Sequence, residues 1–150
     1  MRIAFGTDHA GVQLKRQLMD LVVRLGHETL DFGTHSEEPV DYPDVIRPAA
    51  EAVARGDADL GIVMGGSGNG EAIVANKVPG IRCAVCHDVT TARLSREHND
   101  ANMISLGQRI VGSQVAEDIV RTWLATPFSG EERHARRIAK IHAAEAPRTI

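Results

Sequence analysis

Leu60-Gly-Ile-Val-Met-Gly-Gly-Ser-Gly-Asn-Gly-Glu71 decides the fold of this chain. The apolar run Leu60 to Met64 has the length and composition of a buried strand. It breaks into a loop with glycine at 65, 66, 68 and 70, and Glu71 then opens the small and apolar segment Ala72-Ile-Val-Ala75. The glycines strip the loop of side chains and let backbone N–H groups come close to a ligand, some of them at positive φ. Strand, bare loop and helix start together make an anion site. A carboxylate at its lip is placed to move protons. The plainer reading is a tight, solvent-exposed turn, but one turn rarely needs so many glycines.

The same alternation runs outward from this point. Arg2 to Phe5 predicts a first strand ending at Gly6, and residues 11–25 a helix with Leu14, Leu18, Leu21, Val22 and Leu25 on one face. Gly26 suits its C-terminal cap. His27 to Phe32 predicts a second strand, followed by a polar loop from Gly33 to Tyr42 that ends at Pro43, and an Ala-rich helix from Val45 to Arg55. Beyond the glycine loop, Glu71 to Lys77 predicts a short helix and Ile81 to Cys86 a fourth strand. Asp88 to His98 predicts a helix with Asp88 or Thr90 as N-cap, and Met103 to Leu106 a fifth strand. Ser113 to Leu124 and Glu131 to Glu145 predict two closing helices. Strands alternating with helices argue an α/β domain over residues 1–150, with a five-stranded, parallel, doubly wound sheet. In such sheets ligands sit beyond the carboxyl ends of the strands. Three segments follow strand ends and should gather at one edge: Gly6-Thr-Asp-His-Ala-Gly11, Gly65 to Glu71, and Gly107-Gln-Arg109. The last helix has no strand after it, so it is free to pack on another subunit.

Composition narrows the function. The 150 residues suffice for one domain with a real core. Aromatic residues are only 3%, so the core is built from Val, Ile, Leu and Ala, as in parallel sheets. A net charge of −3 argues against wholesale nucleic-acid binding. No apolar run is long enough to span a membrane, and the amino terminus enters a strand directly without an apolar leader, so a cytoplasmic location is expected. Cys83-Ala-Val-Cys86-His87 matches the spelling of c-type haem attachment and of a C-x-x-C redox pair. A strand there would point the thiols to opposite faces, and haem attachment needs export. Two reduced, structural thiols are expected.

Several side chains suit chemistry. Asp8 and His9 follow the first strand, where Asp8 also suits a helix cap. Neither a Walker A loop nor a G-x-G-x-x-G fingerprint is present, so a nucleotide loses its two best signals. His98 stands near a helix C-terminus, which favours its charged form and suits a general acid. Asn99 suits a substrate hydroxyl, or ordinary capping of the helix end. Arg133 and Arg137 share a helix face four residues apart and repel unless an anion sits between them. They read as a solvated charged face or, taken with Arg109, His98 and the glycine loop, as a phosphate grip. No His, Cys or carboxylate pair has metal-ligand spacing.

In order, Gly6-Thr-Asp-His-Ala-Gly11, Asp41-Tyr-Pro43, Gly65 to Gly70, Ala75-Asn-Lys77 and Arg96-Glu-His-Asn-Asp100 resemble the type B ribose-5-phosphate isomerases. These belong to a wider sugar-phosphate isomerase family that includes the lactose-pathway galactose-6-phosphate isomerase subunits. The resemblance extends through Arg137. It implies a Rossmann-like sheet, a homodimer or a tetramer with shared sites, and a cofactor-free and metal-free aldose–ketose isomerisation of a phosphorylated sugar. It implies that Asp8 and His9 contact the sugar, and that Gly66, Ser67, Gly68, Asn69, Gly70 and Asn99 hold the reacting end. His98 would help to open the furanose ring. Arg109, Arg133 and Arg137 would grip phosphate, some of them from the partner subunit. Many members carry a cysteine base where this chain has Gly65. A second subgroup has glutamate at the position of Glu71, and the base is placed there.

The chemistry is consistent with that likeness. Isomerisation removes a proton next to a carbonyl, and a carboxylate can take it from C2 and return it to C1. The enediolate needs donors, which bare amides and the Ser67 hydroxyl can supply, each worth about 3 kcal/mol of barrier. A helix N-terminus weakens Glu71 as a base, while burial strengthens it. The rivals are an isomerase of a four- or six-carbon sugar phosphate (erythrulose, allose or galactose phosphate), a non-catalytic phosphosugar-binding module, and an exported haem protein.

Overall fold

The computed structural model describes residues 1–147. Strand β1 (Arg2–Thr7) leads through a 3₁₀ turn (His9–Gly11) into helix α1 (Val12–Arg24) and strand β2 (Glu28–Asp31). Helix α2 (Tyr42–Arg55), β3 (Leu60–Gly65), α3 (Asn69–Ala75), β4 (Cys83–Val85) and α4 (Val89–Asn99) follow. The chain continues through β5 (Met103–Gly107) and α5 (Ser113–Ala125) to α6 (Glu132–Ala143). All 5 strands pair in parallel, in the order β2-β1-β3-β5-β4. No helix of the described residues is long and apolar enough to cross a membrane.

The period-2 alternation of strand side chains explains the two layers. Ile3 and Phe5, Ile62 and Met64, and Ile104 and Leu106 point to one face, where Leu14, Leu18 and Leu21 of α1 meet Ile119 and Trp123 of α5. Ala4, Val63 and Met103 point to the other, where Ile46, Ala49 and Val53 of α2 and Ala75 of α3 cover them. Every residue of the central strand β3 is buried, which is why it carries no polar side chain. Gly61 is bare because a side chain there would strike Met103 and Val53.

The departures from expectation lie at element ends. Helix α2 starts at Tyr42 rather than Val45, with Pro43 in its first turn. Proline is tolerated there because the N–H it lacks has no helical partner. Strand β4 is the short edge of the sheet, not a buried strand, and each of its residues is only half-buried. Cys83 is therefore partly exposed, while Cys86 lies beyond the strand and is buried. Burial raises both thiols, Cys86 to about 11, so neither is a thiolate at neutral pH. Of α6, only His134 is buried.

Candidate active site

The three strand-end segments do gather. Beyond the carboxyl ends of β1, β3 and β5 lies a cleft of about 440 Å³, lined by Asp8, His9, Gly66, Ser67, Gly70, Glu71 and Arg109, with Tyr42 from the start of α2. That volume suits a small metabolite. The glycine loop is held by its carbonyls. Gln108 N–H donates to Gly65 O at 2.8 Å and Arg109 N–H to Gly66 O at 3.0 Å. The Ser105 hydroxyl donates to Gly68 O at 2.7 Å. The loop is thus pinned beside the cleft by three carbonyls bonded to β5 and the two residues after it. Two glycines are required by geometry. Gly68 has φ +83°, and a Cβ at Gly107 would strike the Ser67 backbone.

Glu71 is the third residue of α3 and is 4% exposed. Its carboxyl fills the space that a side chain on Gly65 would occupy. Burial raises its pKa above the usual value, against the N–H groups of Glu71 itself and Gly68, which lower it. The Asp8 charge adds to the rise. Burial thus outweighs the helix start, and the carboxyl is the stronger base for it.

Asp8 is buried, and its side chain accepts the Ala10 N–H at 2.9 Å as the cap of the 3₁₀ turn. The cap reading of Asp8 therefore holds alongside its place on the cleft. Val40 N–H donates to His9 Nδ1 at 3.2 Å, which leaves the proton of the neutral ring on Nε2. The Arg109 guanidinium lies over Gly66 and forms no ion pair among the described residues. Asn69 N–H donates to Ser67 Oγ at 3.2 Å.

The remaining expected residues lie elsewhere. Helix α4 runs back from the end of β4, so His98 and Asn99 reach the amino edge of the sheet, where β5 begins. The 5-residue strand β5 separates the two edges, about 16 Å at the usual rise. Asn99 lines a separate hollow of about 210 Å³ with Asn76, Arg82 and Ile141. His98 packs on His134, ring centroids 4.4 Å apart. His134 Nδ1 lies 2.8 Å from Ser129 Oγ. Loss of hydration, then the neighbouring His98 and Arg133, lowers the His134 pKa. Arg133 pairs with Glu131 at 2.8 Å, and Arg137 is exposed beside it on α6. One chain therefore brings together Asp8, His9, Gly66 to Gly70, Glu71 and Arg109, and holds His98, Asn99, Arg133 and Arg137 at the opposite edge.

The family model for "Ribose/Galactose Isomerase" matches residues 3–141. The chain belongs to the ribose/galactose isomerase family. A ribose-5-phosphate isomerase B from Escherichia coli is 44% identical over 98% of each chain. One from Mycobacterium tuberculosis is 45% identical over 92% of this chain and 86% of the relative. The solved ribose-5-phosphate isomerase B of Clostridium thermocellum superposes with a TM-score of 0.95 at 54% identity, over 97% of both chains. The type B enzyme of Trypanosoma brucei superposes at 0.93 with 48% identity, over 95% of this chain and 97% of the other.

This family member also lines its cleft with Tyr42, whose place in or out of the site the sequence left open. Tyr42 packs against Gly70, where a Cβ would come within 2.7 Å of its ring. Its signals were the Asp41-Tyr-Pro43 motif and its place before Pro43, since helix starts after strand ends face the cleft. His134 does not line that cleft; it lies among Arg133, Arg136 and Arg137, and its stacking on His98 depends on a contact between helices distant in sequence. In this isomerase fold no group of three or more His, Cys, Asp or Glu among the described residues is arranged to hold a metal ion.

Proposed function

We propose that this family member interconverts ribose 5-phosphate and ribulose 5-phosphate through an enediolate, with Glu71 as the base. The observation that carries the reading is a buried carboxyl of raised pKa set beside a loop of bare amides. Glu71 takes the C2 proton of the open-chain aldose and returns it at C1, while the hydroxyl proton passes from O2 to O1. The amides of the Gly66 to Gly70 loop that are not turned to Glu71 or Ser67 Oγ, with the Ser67 hydroxyl, stabilise the charge that develops on the two oxygens. Asp8 and His9 hold sugar hydroxyls, and Arg109 reaches the phosphate. The reaction is one step of pentose phosphate metabolism.

The cleft of one chain holds one guanidinium, Arg109, and no His98 or Asn99. The function therefore includes a homodimer in which a second copy's amino edge meets this cleft. His98 then assists ring opening, Asn99 holds the reacting end, and Arg133 and Arg137 complete the phosphate grip. Helix α6, on which only His134 is buried, is the arm that reaches across. A panel of four-, five- and six-carbon aldose phosphates tests the substrate. Turnover is expected to be highest with ribose 5-phosphate. A preference for allose, galactose or erythrulose phosphate reassigns it, and binding without turnover of any of them removes the enzyme.

A further inference from the structure

We propose that Ser105 is a positioning residue for the base, acting through Gly68. The proposal rests on the reading of Glu71 given above. Ser105 is fully buried in β5, between Ile104 and Leu106 and two residues from Met103. Its side chain points to the α2–α3 face, as the alternation along β5 requires. An apolar residue is the ordinary occupant of such a place, and a buried hydroxyl is tolerated only when bonded. Its one bond goes to the carbonyl of Gly68 at 2.7 Å.

That carbonyl already has a helical donor. Ala72 N–H reaches Gly68 O at 3.1 Å, the first hydrogen bond of α3. The serine is therefore not needed to satisfy Gly68 O, and its contribution is geometric. It presses Gly68 against the end of β5, where a Cβ would stand 3.0 Å from the Leu106 carbonyl carbon. Gly68 sits at φ +83°, ψ −6° as the cap of α3. Fixing its carbonyl in that conformation fixes the adjoining peptide planes. Gly68 is the residue from which α3 starts, and Glu71 is the third residue of that helix, so the setting of these planes decides where the carboxyl stands. The Gly68 N–H also lowers the Glu71 pKa. The linkage runs from the Ser105 hydroxyl to the Gly68 carbonyl, and from Gly68 as the cap of α3 to Glu71 in its first turn. Ser105 touches neither the cleft nor the substrate.

Ser105→Ala leaves Gly68 O bonded to Ala72 and creates no overpacking, so the variant folds. The expected result is about a tenfold loss of kcat with KM within about twofold, because the amides lose their fixed orientation while the phosphate grip stays. The Glu71 carboxyl, followed by NMR on selectively ¹³C-labelled protein, titrates at higher pH than in the native chain. Ser105→Thr keeps the hydroxyl on a strand-compatible side chain and recovers kcat and the titration together. An alanine variant with native kcat and a native Glu71 titration overturns the proposal. Glu71→Gln, measured alongside, keeps the two readings apart. If that variant still turns over, Glu71 is not the base, and the upward titration in Ser105→Ala still upholds the positioning.

Discussion

The two edges of the sheet are built on opposite plans. At the carboxyl edge the polar groups are backbone amides and two buried carboxyls, Asp8 and Glu71, held by strand ends. At the amino edge they are side chains on helix ends: His98 stacked on His134, with Arg133 and Arg137 nearby on an exposed helix. The first edge is preorganised, because the carbonyls of Gly65, Gly66 and Gly68 are bonded to β5 and the two residues after it. The second is cationic and exposed. Each edge holds what the other lacks, which is what a site divided between two copies requires.

The largest test breaks the two edges separately and rejoins them. Glu71→Gln should lose roughly 10²–10⁴ in kcat, as expected on removing a general base. Arg137→Ala should likewise be inactive alone, through loss of the phosphate grip. Refolded together from unfolded chains, the two should recover about a quarter of the native rate, since half of randomly paired dimers are mixed and each has one intact site. No recovery with mixed dimers demonstrated would mean that each cleft is complete within one chain.

A second variant perturbs only the carboxyl edge. Gly65→Ala puts a methyl where the Glu71 carboxyl lies. Displacing the base by about 1 Å should cost roughly 10²-fold in kcat. A crystal structure with Glu71 in its native position and full activity would contradict this.

A smaller effect concerns charge within the carboxyl edge. Asp8 raises the Glu71 pKa, so Asp8→Asn should move the Glu71 titration downward, whatever it does to sugar binding. The sign for stability follows. A carboxyl whose pKa is raised on folding favours the fold below its unfolded value, and that contribution is lost as pH rises through the folded pKa. Glu71→Gln should therefore melt higher than the native chain at neutral pH. The gap should close below the ordinary glutamate value of 4.5. Thermal melts at the two pH values decide it.

The smallest effect expected is none. Cys83→Ala/Cys86→Ala should keep the native rate, because both thiols are raised by burial and neither lines the cleft. Rapid inactivation by iodoacetamide with protection by substrate would overturn this.

Much of this architecture was legible in the sequence, for physical reasons. The buried run Leu60 to Met64, the glycine loop and the alternation with amphipathic helices define a parallel sheet. That topology alone puts Asp8, Glu71 and Arg109 at one edge. Strand order is set by packing between segments distant in sequence, so β4 at the sheet edge and half-buried Cys83 were not legible. The Glu71 pKa was open because burial and the helix start oppose each other, and only the depth of the carboxyl decides between them. Helix α2 began early because a proline that stops a helix elsewhere is welcome in its first turn.

Gly65 has a consequence beyond the cleft. Residues 65 and 71 share one volume, and that volume admits a single functional group. A thiol on residue 65 and an inward carboxylate on residue 71 are alternatives, not partners. No single substitution exchanges one for the other. The intermediate either lacks a base or crowds two into one space. The missing Cβ at residue 65 is thus the condition for an inward carboxylate at residue 71.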